Sequence, residues 1–176
     1  MTTLQITEIT DGKKKSELVP LLISGLFKVL FFPFRLLFSK GSNYMDVKDA
    51  EWTDWNSVNG QPVKRKIIAE TGFDNCIKFY HLQTADKQIN NALTGKIFGE
   101  FYCETTYGIF LRQFDNPDDW PTSYLVFIDK SDFGYRRLKK SKSSWIEWTF
   151  EYINEKDFSI ITEPGKTYTT RLQIKS

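Results

Sequence analysis

The sequence predicts a mainly β protein: an N-terminal apolar amphipathic helix followed by an antiparallel β-sandwich or barrel of about eight strands with one short helix. Three observations carry that expectation. Aromatic residues make up 16% of the 176 positions, with fifteen Phe, eight Tyr and five Trp, and aromatic rings pack well on pleated surfaces. Apolar and polar residues alternate with period two in run after run beyond residue 43, the signature of half-buried strands. Gly, Pro, Asn and Asp clusters separate those runs at short intervals, as turns between antiparallel strands require. A chain of this length holds one domain with a real core and is too short for two large ones. The expected division is a polar arm plus an apolar anchoring helix over 1–41 and a β-rich globular domain over 42–176.

The apolar stretch Leu18–Phe38 has 15 apolar residues in 21. As a helix it would be about 32 Å long, near the thickness of a bilayer core. Its polar residues are ordered: at 100° per residue, Glu17, Ser24, Lys28, Arg35 and Ser39 fall on one narrow stripe, although Phe31 and Leu21 intrude. Pro33 should kink the helix. The insertion balance argues against a plain span. Fifteen apolar side chains contribute about −5 to −9 kcal/mol, whereas Lys28 and Arg35 cost roughly 2.5–3.5 kcal/mol each, and Pro20, Pro33, Ser24 and Gly25 subtract more. A helix lying along a surface costs less, with Leu22, Leu26, Phe27, Leu30, Phe31, Phe34, Leu37 and Phe38 buried in lipid or in a partner. Lys13, Lys14, Lys15, Lys28, Arg35 and Lys40 would then reach anionic headgroups. A secretory leader is not expected, because Lys28 and Arg35 interrupt the run and no small-residue cleavage site follows.

Gly41-Ser42-Asn43 breaks the pattern. The expected strands are Val63–Glu70, Cys76–Gln83, Lys96–Tyr107, Ile109–Phe114, Tyr124–Ile128, Tyr135–Leu138, Trp145–Ile153, Phe158–Thr162 and Lys166–Lys175. Turns are expected at Asn59-Gly60, Thr71–Asp74, Asn116-Pro117, Trp120-Pro121, Asp132–Gly134 and Glu163–Gly165. The one short helix is expected over Thr84–Leu93.

Charge is uneven. Residues 1–43 hold six basic and three acidic side chains, and the remainder holds 18 basic and 19 acidic. The β-domain therefore carries no nucleic-acid footprint. Arg136–Lys142 concentrates five basic residues, among them Arg136, Arg137, Lys139 and Lys140. It reads as a solvated hairpin loop or as a second contact with phosphates. The loop Phe114–Pro121 gathers Asp115, Asp118 and Asp119 ahead of Trp120. It lacks the spacing of an EF-hand loop and reads as a turn whose Trp120 tip suits a protein interface. Trp52 and Trp55 are expected to brace the apolar segment, to sit at a membrane interface, or to pack in the core. Two cysteines, Cys76 and Cys103, read as free thiols of a reducing compartment. The sole histidine, His81, lies on an alternating run without a partner in sequence, so it reads as sheet packing. One His and two distant Cys make no zinc ligand set, and no phosphate-loop, dinucleotide or nucleophile-elbow motif occurs. No catalytic residue, metal or cofactor is expected.

These readings lead to a non-enzymatic, membrane-associated subunit on the cytoplasmic side, anchored by the 18–38 helix, with the β-domain as a scaffold for other protein subunits. Expected partners are those subunits and an anionic membrane surface, not nucleic acid. The alternative is a soluble binding module, either an immunity or inhibitor-type protein or a barrel for an apolar ligand, with its 18–38 segment packed in its own core or in a partner.

Overall fold

The computed structural model describes residues 2–10, 44–72, 76–144, 146–153, 157–163 and 166–174. The apolar stretch 18–38 and its flanking lysines lie outside the described residues, and with them every anchoring position and the headgroup candidates Lys13, Lys14, Lys15, Lys28, Arg35 and Lys40.

The chain is mainly β. In order it forms β1 (Thr2–Thr10), β2 (Tyr44–Asp46), β3 (Thr53–Val58), β4 (Gln61–Thr71), β5 (Ile77–Thr84), helix α1 (Lys87–Leu93), β6 (Ile97–Glu104), β7 (Gly108–Phe114), β8 (Ser123–Asp129), β9 (Tyr135–Ser141), β10 (Thr149–Tyr152), β11 (Asp157–Glu163) and β12 (Lys166–Ile174). One antiparallel sheet of eight strands runs β2-β4-β5-β6-β7-β8-β9, with β3 also paired to β4. A second sheet is built on the β10–β11 hairpin and extended by β12 and β1.

Local chemistry explains most boundaries. Asn59 and Gly60 both have positive φ, at 50° and 73°, the conformation of a two-residue hairpin turn that suits Asn-Gly; they join β3 to β4. Asp86 caps α1, its Oδ1 accepting from the Gln88 and Ile89 amides at 3.0 and 3.2 Å, so the helix starts later than the Thr84 predicted from composition. At Gly108 a Cβ would lie 2.3 Å from the Ile128 carbonyl oxygen and from the Phe127 ring. Only glycine lets β7 begin that close to β8.

Register decides which side chains meet, because residues directly opposite in antiparallel strands share a face. On one face, Val58, Val63, Tyr80, Leu82, Phe98, Ile109, Leu111, Val126 and Ile128 form a core closed by Ile89 and Leu93 of α1. On the other face, Phe101, Phe110, Leu125 and Phe127 pack against Trp148, Phe158 and Ile160 of the second-sheet region. A third cluster joins Ala69, Ile77, Phe79 and Phe114. The expected long strand Trp145–Ile153 is shortened to β10, and β1, β2 and β3 add strands that alternation alone did not reveal.

Candidate functional site

Three arrangements of polar side chains stand out on this frame. The first lies on the face that carries Tyr80. Ile67 opposes Tyr80 and Arg65 opposes Leu82, while Tyr80 opposes Phe98 and Tyr102 opposes Leu111. The pleat therefore gathers Arg65, Tyr80, Glu100 and Tyr102 beside Trp55. Arg65 donates to Glu100 Oε2 at 2.8 Å, and the Tyr80 hydroxyl donates to the other carboxylate oxygen. The Arg65 guanidinium sits 4.7 Å from the Tyr80 ring centroid and 5.5 Å from that of Trp55. Trp55 stacks on Tyr80 at 6.4 Å and meets Tyr102 edge-on at 5.3 Å.

Burial and the neighbouring Glu100 carboxylate push the Tyr80 phenol well above its usual range, and burial with Glu104 does the same to Tyr102. Both phenols therefore stay neutral and act as hydrogen-bond donors and ring surfaces. Beside them is an open cavity of 630 Å³ walled by the β2–β3 connection, with Asp49, Glu51, Arg65, Lys78 and Tyr80 among its lining. Acidic and basic groups both face it. The arrangement offers recognition through rings and paired charges.

The second arrangement surrounds Arg112, which is 2% exposed. Its Nε donates to Ser123 Oγ at 3.0 Å, and its terminal nitrogens donate to the Ser143 and Ile146 carbonyls at 3.1 and 3.4 Å. The rings of Trp148, Trp120 and Phe114 lie 4.6, 5.1 and 5.2 Å from the guanidinium carbon. Burial lowers its pKa to about 10. Arg112 thus ties β7 and β8 to the chain that leads into the second sheet. Sequence reading missed it, and the available signal was a lone charge inside the otherwise apolar run Ile109–Phe114.

The third is β9. The basic run extends this strand to Ser141 in place of a hairpin loop, and β9 forms one end of the eight-stranded sheet. Its four basic candidates have different neighbours. Arg136 turns to Asp129, at 3.0 Å, and to Asp132; Asp129 is itself fully buried and also accepts from Ser131. Arg137 pairs with Asp115 and donates to Gln113 Oε1 at 3.0 Å. Burial works against its charge, but the Asp115 bond outweighs this and raises its pKa. Arg137 and Lys140 both approach the Tyr124 ring, at 4.4 and 5.6 Å, whereas Lys139 lies opposite Leu125. Nearby, burial and then Arg137 lower the pKa of Lys96.

The acidic loop candidates are accounted for by local structure. Asp118 and Asp119 form a 3-10 turn whose cap, Asn116 Oδ1, accepts from the Asp118 amide at 3.1 Å. Asp115 is held by Arg137. Trp120 is half-buried against Phe114 and Arg112, so it is not an exposed tip. His81 Nδ1 lies 3.0 Å from the Lys96 carbonyl oxygen. Cys103 is pushed up to about 12 by burial and by Glu104, while Cys76 is exposed. Among the described residues no group of three or more His, Cys, Asp and Glu side chains could hold a metal ion, and no helix is long and apolar enough to cross a membrane. Comparison with protein-family models, with curated proteins and with solved structures finds no match.

Proposed function

We propose that this protein is a non-enzymatic, membrane-associated subunit of a protein assembly. In this reading the 18–38 segment anchors it on the cytoplasmic side, and the two β layers, packed as a sandwich, serve as an interaction scaffold. The observation that carries the reading is the placement of β1 and β2, the described strands on either side of the apolar stretch. Strand β1 pairs with β12 through nine residues and β2 pairs with β4, so the two are the outer strand of one sheet and the outer strand of the other. A single crossing of a bilayer would put β1 and β12 on opposite sides. Their pairing supports an anchor that enters and leaves on the same side, along a surface, which agrees with the marginal insertion balance and the ordered polar stripe. Burying fifteen apolar side chains supplies ample anchoring free energy, at about 1.5 kcal/mol or more each before ordering costs.

Flotation of the full chain with anionic vesicles, at low and high salt, tests the reading. Binding that weakens with salt is expected, and no binding at any salt would sink the membrane part of it. A companion variant should keep β1 and replace residues 12–41 with a flexible linker of equal length. It should fold and stay in the supernatant; loss of the β signal would instead show that the segment belongs to the protein's own core.

The 630 Å³ cavity beside Arg65 and Tyr80 favours a second reading, a soluble binding module. The full chain would then remain monodisperse without detergent or lipid.

A further inference from the structure

We propose that the groove between α1 and β5 is a binding site for a neutral sugar. A cavity of 270 Å³ here is lined by Trp52, His81, Gln83, Asn90, Leu93 and Thr94, among others. A neighbouring cavity of 370 Å³ shares Gln83 and Asn90 and adds Thr84, so those two side chains border both.

Its chemistry is selective. Trp52 is 39% exposed and offers an indole surface without a hydrogen-bond partner among the described residues. Asn90 Oδ1 accepts from the Thr84 amide at 3.1 Å, which assigns the oxygen and leaves the side-chain NH2 as donor. The His81 Nδ1 faces a carbonyl oxygen, which can only accept, so Nδ1 carries a proton and Nε2 is the ring nitrogen left for a ligand. The Gln83 side chain has no hydrogen-bond partner among the described residues and supplies both a donor and an acceptor.

Among the described residues that line the two cavities, Lys64 is the only charged one, and it lines the cavity away from Trp52. A ligand with an apolar C–H face for the indole and several hydroxyls for two amides and an imidazole fits, and a pyranose has both.

Saturation-transfer NMR on the full chain tests this, with glucose, galactose, mannose and N-acetylglucosamine as probes and glucuronic acid as charged control. Transfer to the ring protons of at least one neutral sugar, with weak millimolar affinity, is expected. Trp52→Ala should abolish it, and Gln83→Ala should weaken it about tenfold, the effect of one lost hydrogen bond of roughly 1.4 kcal/mol. Circular dichroism checks that both variants fold. Absence of transfer from every sugar, equal transfer in Trp52→Ala, or a preference for glucuronic acid would overturn the proposal. So would protection of this groove by a protein partner that leaves sugars without effect.

Discussion

Glu100 joins two side chains that the sequence sets 15 positions apart: one carboxylate oxygen receives Arg65 at 2.8 Å and the other receives the Tyr80 hydroxyl. The three lie on neighbouring strands of one face, and Trp55 covers them from β3.

Glu100→Gln should keep the shape of this cluster and remove its negative charge. The Arg65 and Glu100 side chains are 28% and 43% exposed, so solvent screens much of the pair, and a loss of about 1 kcal/mol is expected. The sharper readout is Tyr80. Burial is the larger cause of its raised pKa and Glu100 the next, so the variant should ionise Tyr80 at lower pH while leaving Tyr102 unchanged. Spectrophotometric titration of the phenols checks this, and an unmoved Tyr80 would show that Glu100 does not govern it.

The thiols should separate cleanly. Cys76 is exposed, whereas burial and Glu104 push Cys103 up to about 12, and only thiolates react. At neutral pH the folded protein should therefore consume one equivalent of a thiol reagent quickly, and the second only after denaturation. Stability follows the same shift. A group whose folded pKa lies above its unfolded value contributes stability that is complete below the unfolded pKa and is lost as pH rises through the folded one. Cys103 should thus weaken the fold between about 9 and 12, with Tyr80, Tyr102 and Tyr135 adding to the loss above 10. Arg112 works the other way: its pKa is depressed to about 10, so its strain eases above that pH. Denaturation midpoints across the alkaline range should fall, and fall less in Cys103→Ala.

Arg112→Met should cost about 3 kcal/mol, because the Ser123 hydroxyl and the Ser143 and Ile146 carbonyls would lose a charged donor inside a closed site. Arg112→Lys should fare little better, since an ammonium cannot reproduce the planar fork or its contact with three rings. Urea denaturation measures both. A Lys variant as stable as the parent would mean that charge alone, and not the fork, is what this site needs.

The sequence by itself determined the character of the domain and many of its parts. Period-two alternation and β-branched or aromatic runs located β4 to β9, β11 and β12 closely, because those strands bury one face and the pleat writes that burial into alternate positions. Turn chemistry located Asn59-Gly60, whereas the Asp86 cap that delays α1 was not read. Composition also marked Leu18–Phe38 as a segment whose apolar surface needs cover.

Tertiary structure decided the rest. Thr2–Thr10 reads locally as a polar arm, yet it becomes β1 by pairing with β12 at the far end of the chain, and no local pattern encodes a partner that distant. Strand β3 is equally polar in sequence and is held by its hairpin with β4. The basic run at 136–140 looked like one patch, but strand geometry and the carboxylates of Asp129 and Asp115 divide it between separate partners. Arg112 reads as an anomaly in an apolar strand until folding brings Ser123, Ser143 and three rings around it. Sequence records what each residue can bury or bond; which groups arrive to satisfy it is set by strand order and register, and those depend on contacts between residues far apart in the chain.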